Sequence, residues 1–149
     1  MSDYVTFRLD GRDLATRIEL VREVVRLTEL VTLPGMRAPL AGVLDLRGTS
    51  LPVVDVRRTP GGPGDVLVLS EEGREYGFVC DAVSAVVGRE TLAEEESTAR
   101  EALPPYVEAV LRGSAGPVFL VDVRKMSSEA DLDAYPVGEV HERLAVGSG

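Results

Sequence analysis

The feature that most constrains this chain is a unit that keeps returning: a short run of β-branched and other apolar residues, closed by turn chemistry, about every ten residues. YVTFRL at 4–9, VLDL at 43–46, LPVVDV at 51–56, VLVL at 66–69, YGFVCDAV at 76–83 and VFLVDV at 118–123 all have this form. Short β-branched runs separated by turn chemistry at this spacing predict an all-β barrel or sandwich. Turn residues fix where the chain reverses. Asp10-Gly11 follows YVTFRL as a strong hairpin signal, and Glu71, Glu72 and Gly73 join two further strands. VLDL and LPVVDV flank a short polar Arg-Gly-Thr-Ser segment, which places Arg47 at the tip of a strand pair.

Other segments are less regular. In LATRIELVREVVRL, Ile18, Val21 and Val25 share a helical face while the valine content suits a strand, so a strand running into a short turn or helix is expected. Pro34-Gly35 and Pro39 punctuate the loop that follows. Gly77 inside a strand pattern marks a bulge or a close backbone approach. Between 90 and 113 the chain is least strand-like, and Pro104-Pro105 must end any helix capped by Ser97 or Thr98. Ser128 followed by EADLDAY predicts a capped short helix, with the remainder of 127–149 a flexible tail. The PGGPG connection at 60–64 is the expected divide between two halves of a domain spanning 1–126.

Composition removes several classes of function. A chain of 149 residues is one domain or two very small ones, long enough to bury roughly two thirds of its unfolded surface. One cysteine forms no internal disulfide, and no Cys/His cluster has zinc-ligand spacing, so a core must hold the fold. The start MSDYVTFRLDGR lacks the basic and apolar regions of a signal peptide, and no apolar run nears the ~18 residues of a membrane span. A soluble cytoplasmic protein is expected, with no direct membrane insertion. The formal net charge of -9 argues against nucleic acid as a partner, which would demand a basic face. The acidic runs, EEE at 94–96 and SEEGREY among them, read as solvated surface.

Catalytic signals are sparse. His141 lies in the tail between Val140 and Glu142, without burial or a positioned partner, and reads as a surface histidine. Cys80, flanked by apolar residues and by no base, reads as a buried inert thiol. Asp45, Asp55, Asp81 and Asp122 stand at or near strand ends, where capping of turns and backbone amides is the ordinary job. PGGPG lacks both the lysine and the following helix of a phosphate-binding loop. The expectation is a protein that is not an enzyme and uses no cofactor or metal.

Recognition of other proteins remains, and there the motifs become specific. YVTFRLDG, V-x-E-V at Val21 to Val24, a proline before the central hairpin, G-V-x-D-L-R-G, L-P-V-V-D-V-R, G-F-V-x-D-x-V and V-F-L-V-D-V follow one another in order. From Tyr4 to about Met126 the chain thereby resembles the CheW family, the adaptor proteins of bacterial chemosensory arrays. The resemblance implies two small five-stranded β-barrels packed together, with strands exchanged between the halves. It implies as partners the regulatory domain of a CheA-type histidine kinase and the cytoplasmic tip of a methyl-accepting chemoreceptor. It also implies that the chain couples the two without catalysis.

By the same resemblance, Arg47 of the L-R-G motif is a partner-binding residue, with Gly48 and Asp45 beside it, and Glu23 and Val21 of V-x-E-V contribute to receptor binding. A guanidinium held on a tight turn loses little entropy on binding and can grip a carboxylate or helix-end carbonyls. The alternative is that Arg47 only stabilises its own turn by bonding Asp45 or nearby carbonyls. Gly42 and Gly48 are better explained by turn geometry or close packing than by contact with a partner. The chain departs from the family pattern in three places: the segment after L-P-V-V-D-V-R is short, Asp45 replaces a usual asparagine, and Ala109 a usual glycine. Those departures keep two other readings open. One is a CheW-like regulator of a divergent two-component pathway that binds a kinase without a receptor. The other is a small-ligand binder or enzyme with converging carboxylates near Asp81 or Asp122.

Overall fold

The structure, a computed structural model, describes residues 3–95 and 102–128. Its backbone is organised by three hairpins of one kind. Strand β1 (Asp3–Leu9) turns into β2 (Arg12–Arg17) through Asp10-Gly11, β4 (Leu40–Leu46) into β5 (Thr49–Val54) through Arg47-Gly48, and β6 (Asp65–Glu71) into β7 (Arg74–Cys80) through Glu72-Gly73. In each two-residue turn both residues have positive φ: 52° and 78°, 52° and 84°, 51° and 79°. This is the backbone that matches the right-handed twist of paired strands, and the glycine in second place makes it cheap.

The remaining strands are β3 (Val21–Arg26), β8 (Ala82–Gly88), β9 (Ala93–Glu95), β10 (Val107–Gly113) and β11 (Gly116–Val121). They complete two sheets, a six-stranded one ordered β8-β1-β2-β11-β10-β9 and a five-stranded one ordered β3-β6-β7-β5-β4. The all-β, two-sheet expectation holds; one sheet carries a sixth, short strand. Between β2 and β3 lies a 3-10 turn at Ile18–Leu20, so the ambiguous stretch is strand, turn and strand, with no α-helix. The 60–64 segment does not divide the sheets, because it joins β5 to β6 within the five-stranded sheet. The chain crosses between sheets instead at Ile18–Leu20 and at Asp81, whose N–H donates to the Arg8 carbonyl at 2.9 Å. The six-stranded sheet is therefore made from both ends of the described chain, wrapped around a contiguous five-stranded one.

Period-two alternation explains why the strands read as apolar on both faces. Leu67 and Leu69 of β6, with Phe78 and Cys80 of β7, point into a central cluster shared with Val5, Phe7 and Leu9 of the other sheet. Val66, Val68 and Val79 point the opposite way, into a second cluster with Leu44, Leu51 and Val53. A third, of Tyr4, Ala15, Leu111, Val118 and Leu120, belongs to the six-stranded sheet alone. Phe7 and Phe78 meet edge to face across the junction, with ring centroids 6.3 Å apart at 74°, a favoured aromatic geometry. Gly77 is a close approach: a Cβ there would lie 2.6 Å from Val66 Cγ1. The β6–β7 register runs through it without a bulge.

A short helix α1 (Val123–Met126) closes the described chain. Asp122 caps it by accepting from the N–H groups of Arg124 and Lys125. The helix expected after Ser128, the tail with His141, and the Ser97 and Thr98 caps fall outside the described residues.

Candidate protein-binding site

Arg47 is in the left-handed region at φ 52°, a conformation that a non-glycine residue holds only where the turn imposes it. Asp45 helps impose it, since its Oδ1 accepts the Gly48 N–H at 2.9 Å. The turn thus carries its own brace. Arg47 does not use Asp45; its Nη2 donates to Glu23 Oε2 of β3 at 2.5 Å. Two residues singled out 24 positions apart in sequence are therefore one ion pair, with side chains 68% and 36% exposed. Glu23's hydrogen bond, then its charge, raise the Arg47 pKa, and Glu75 adds to the same field. The bond to Glu23 uses Nη2, and the Nε and Nη1 hydrogens of Arg47 have no acceptor among the described residues. The guanidinium is positioned yet still able to grip a second acceptor.

The edge strand supplies the rest. A register shift between Val21 and Glu23 in the β3–β6 pairing puts a bulge at Arg22. The bulge lets neighbouring residues both form ion pairs, Glu23 with Arg47 and Arg22 Nη1 with Glu75 Oε2 at 3.1 Å. Val24 beside them is 42% exposed on this edge. The result is a surface of alternating charge around an exposed valine, on a strand with one open side. Of the other expected residues, Gly48 supplies the second turn position with φ 84°. Val21, half-buried, packs against the central cluster and does not join the Arg47 group. Gly42 is a close approach, where a Cβ would meet Leu30 Cβ and the Val31 carbonyl oxygen, each at 2.9 Å.

Sequence reasoning did not single out Arg22 and Glu75, whose signal is slight: charges on β3 and β7, two strands separated by β6, with nothing in the pattern to align them. It also missed a second arginine in L-P-V-V-D-V-R. Arg57 is buried and bidentate on Asp55, with Nε to Oδ1 at 2.9 Å and Nη2 to Oδ2 at 2.8 Å. Its remaining donors reach the carbonyls of Pro63 at 2.7 Å and Gly62 at 2.9 Å, and Asp81 Oδ1 lies 3.5 Å from Nη1. The hydrogen bonds to Asp55 raise its pKa against the opposing effect of burial. The short PGGPG segment is folded around this guanidinium. The aspartates do cap: Asp81 Oδ2 accepts the Asp10 N–H at 2.8 Å, and Asp122 caps α1.

Cys80 is fully buried, and burial pushes its thiol up to about 12; so high a value leaves almost no nucleophilic thiolate near neutrality. Among the described residues no three His, Cys, Asp or Glu side chains gather as metal ligands, and no helix is long and apolar enough to cross a membrane.

Comparisons with known proteins bear on the family and the fold. The sequence profile of the CheW-like domain matches residues 3–131. The chain is 24% identical over 141 residues to a probable chemotaxis protein CheW of Rhizobium etli, covering 89% of this chain and 91% of that one. It is 28% identical over 92 residues to the chemotaxis protein CheW of Rhizobium meliloti, covering 57% of this chain and 59% of that protein. The crystal structure of the scaffolding protein TtCheW from Thermoanaerobacter tengcongensis superposes with a TM-score of 0.64 at 20% identity, over 82% of this chain and 84% of that one.

Proposed function

The chain belongs to the CheW-like domain family, and on that premise we propose that it is a non-catalytic adaptor in chemosensory signalling. It couples a chemoreceptor's cytoplasmic tip to the regulatory domain of a CheA-type histidine kinase, in the cytoplasm, by binding both. The observation that carries this reading is the Arg47 guanidinium, fixed on a braced turn, held by Glu23 from edge strand β3, and still exposed with donors to spare. A receptor tip or kinase surface offering a carboxylate or helix-end carbonyls completes its hydrogen bonding without ordering a loop, which lowers the entropic cost of association. Val21, Glu23, Asp45 and Gly48 serve this contact at different removes: Glu23 aims the guanidinium, Asp45 and Gly48 shape its turn, and Val21 anchors the edge strand.

The test is a pull-down from the source organism's lysate with tagged wild-type protein and an Arg47→Glu variant whose fold is verified by circular dichroism. Recovery of a CheA-type kinase and a receptor by wild type, with loss of either by the variant, supports the adaptor and the role of Arg47. Recovery of a kinase alone would instead indicate a regulator of a divergent two-component pathway. Recovery of neither would overturn the proposal.

A further inference from the structure

Away from the Arg47 surface, the described residues line a half-open cavity of about 830 Å³, whose walls come from the β1–β2 hairpin, the segment before β10, β11 and α1. None of its lining residues belongs to the Arg47 group. Its lining is mostly apolar, with Leu9, Leu14, Val56, Tyr106, Phe119 and Met126 prominent. A volume of that order and an apolar wall with a few polar groups are the marks of a site for one small ligand.

The charges at the cavity decide what kind of ligand fits. Arg12 and Lys125 both line it and are exposed, and neither is paired with a carboxylate among the described residues. Arg12 uses Nη1 on the Asp10 carbonyl at 3.3 Å. Most other arginines of the described chain are in ion pairs, Arg8 with Asp13, Arg17 with Glu108 and Arg124 with Asp122 among them. The one carboxylate on the wall, Asp10, is engaged through both oxygens by the Arg58 N–H at 3.2 and 3.3 Å. Among the described residues, two cations without a carboxylate partner against one carboxylate leave the lining net positive, on a chain of formal net charge -9.

We propose that the cavity binds a small amphipathic organic anion, an aliphatic or aromatic body lodged on the apolar wall with a carboxylate at Arg12 and Lys125. Burying the body removes its apolar surface from water, and the head group gains charge-assisted hydrogen bonds from two cations that have no carboxylate partner among the described residues. The inference stands on the cavity alone and is independent of the adaptor reading.

The full chain, labelled with nitrogen-15, is titrated with octanoate, octanol and octyltrimethylammonium, which share a chain length and differ in head-group charge. Octanoate is expected to shift the backbone amides of Leu14, Val107, Phe119 and Met126 saturably. It should bind about tenfold more tightly than the cation, the factor supplied by one hydrogen bond to a charged group. The Arg12→Glu/Lys125→Glu double variant, which changes two exposed side chains and leaves the apolar wall intact, should abolish or reverse that order while octanol behaves as before. Absence of saturable shifts, equal binding of all three probes, or an unchanged preference in the double variant would each overturn the proposal.

Discussion

Strand β5 has an arginine just beyond each end, and the two could hardly be used more differently. Arg47, before it, has a side chain 68% exposed and one partner on another strand; Arg57, after it, is 4% exposed and bonded on every side. Both belong to X-R runs that look alike in sequence, and each contacts a carboxylate. The contrast teaches that an ion pair has to be judged by what else the guanidinium does. Arg57 satisfies the carbonyls of a Gly/Pro-rich loop that has no side chains with which to satisfy them, so it is part of the fold. Arg47 is held with donors left over, so it is available to something outside.

The largest expected difference lies in stability. Arg57→Ala leaves Asp55 buried without its partner and should cost about 3–5 kcal/mol, the range for breaking a buried ion pair, read from urea denaturation. A double Asp55→Leu/Arg57→Met variant should recover much of that loss, and failure to recover it would mean that the carbonyl contacts of the 60–64 loop matter more than the charge pair. Next is the loop itself. A Cβ on Gly64 would lie 2.4 Å from the Cys80 carbonyl oxygen, so Gly64→Ala should destabilise by about 1–3 kcal/mol through overpacking; a neutral result would show that the loop can lift away from Arg57.

Alkaline titration probes the same buried region more gently. Burial raises Cys80 from 9.0 to about 12 and Tyr76 from 10.0 to about 12. Each folded-state value lies above the unfolded one, so the stabilisation is complete below pH 9 and is lost as pH rises toward 12. The denaturation midpoint should fall through that window, and Cys80 should resist thiol reagents at pH 8 until the protein is unfolded. The smallest change in stability is expected for Arg47→Glu, whose thermal midpoint should match wild type because the exposed pair is screened by solvent, even as partner capture is lost. The charge swap Glu23→Arg/Arg47→Glu then sharpens the comparison: restored binding would assign the role to the pair, continued loss to the guanidinium on the turn.

How far the sequence shows this arrangement depends on the range of the interactions concerned. Most strands, the three two-residue turns and the buried state of Cys80 follow from local pattern: alternation, a glycine at the second turn position, an apolar setting; β9 and β10 do not, because they lie in the stretch that reads as least strand-like. Glu23 and Arg47 could each be singled out, but β3 and β4 are opposite edges of the five-stranded sheet, so their pairing depends on the sheet curling back on itself, which no local spacing encodes. The Arg57 cradle was hidden for the opposite reason. Asp55 and Arg57 are only two residues apart, yet a D-x-R run at a strand end looks like surface until the PGGPG loop is seen to fold over it. The crossing points at Ile18–Leu20 and Asp81 were mistaken for one at 60–64 because glycine and proline mark a turn without saying whether the chain stays in its sheet.

The six-stranded sheet, drawn from both ends of the described chain, has a temporal meaning as well. Leu14 of β2 pairs in parallel with Phe119 of β11, and at roughly 5–20 residues per second of synthesis the first hairpin leaves the ribosome well before its neighbour exists. The five-stranded sheet, contiguous from β3 to β7, can form in that interval and offer Phe78 as a surface for Phe7. The order of synthesis therefore allows the five-stranded sheet to be complete before β2 meets β11.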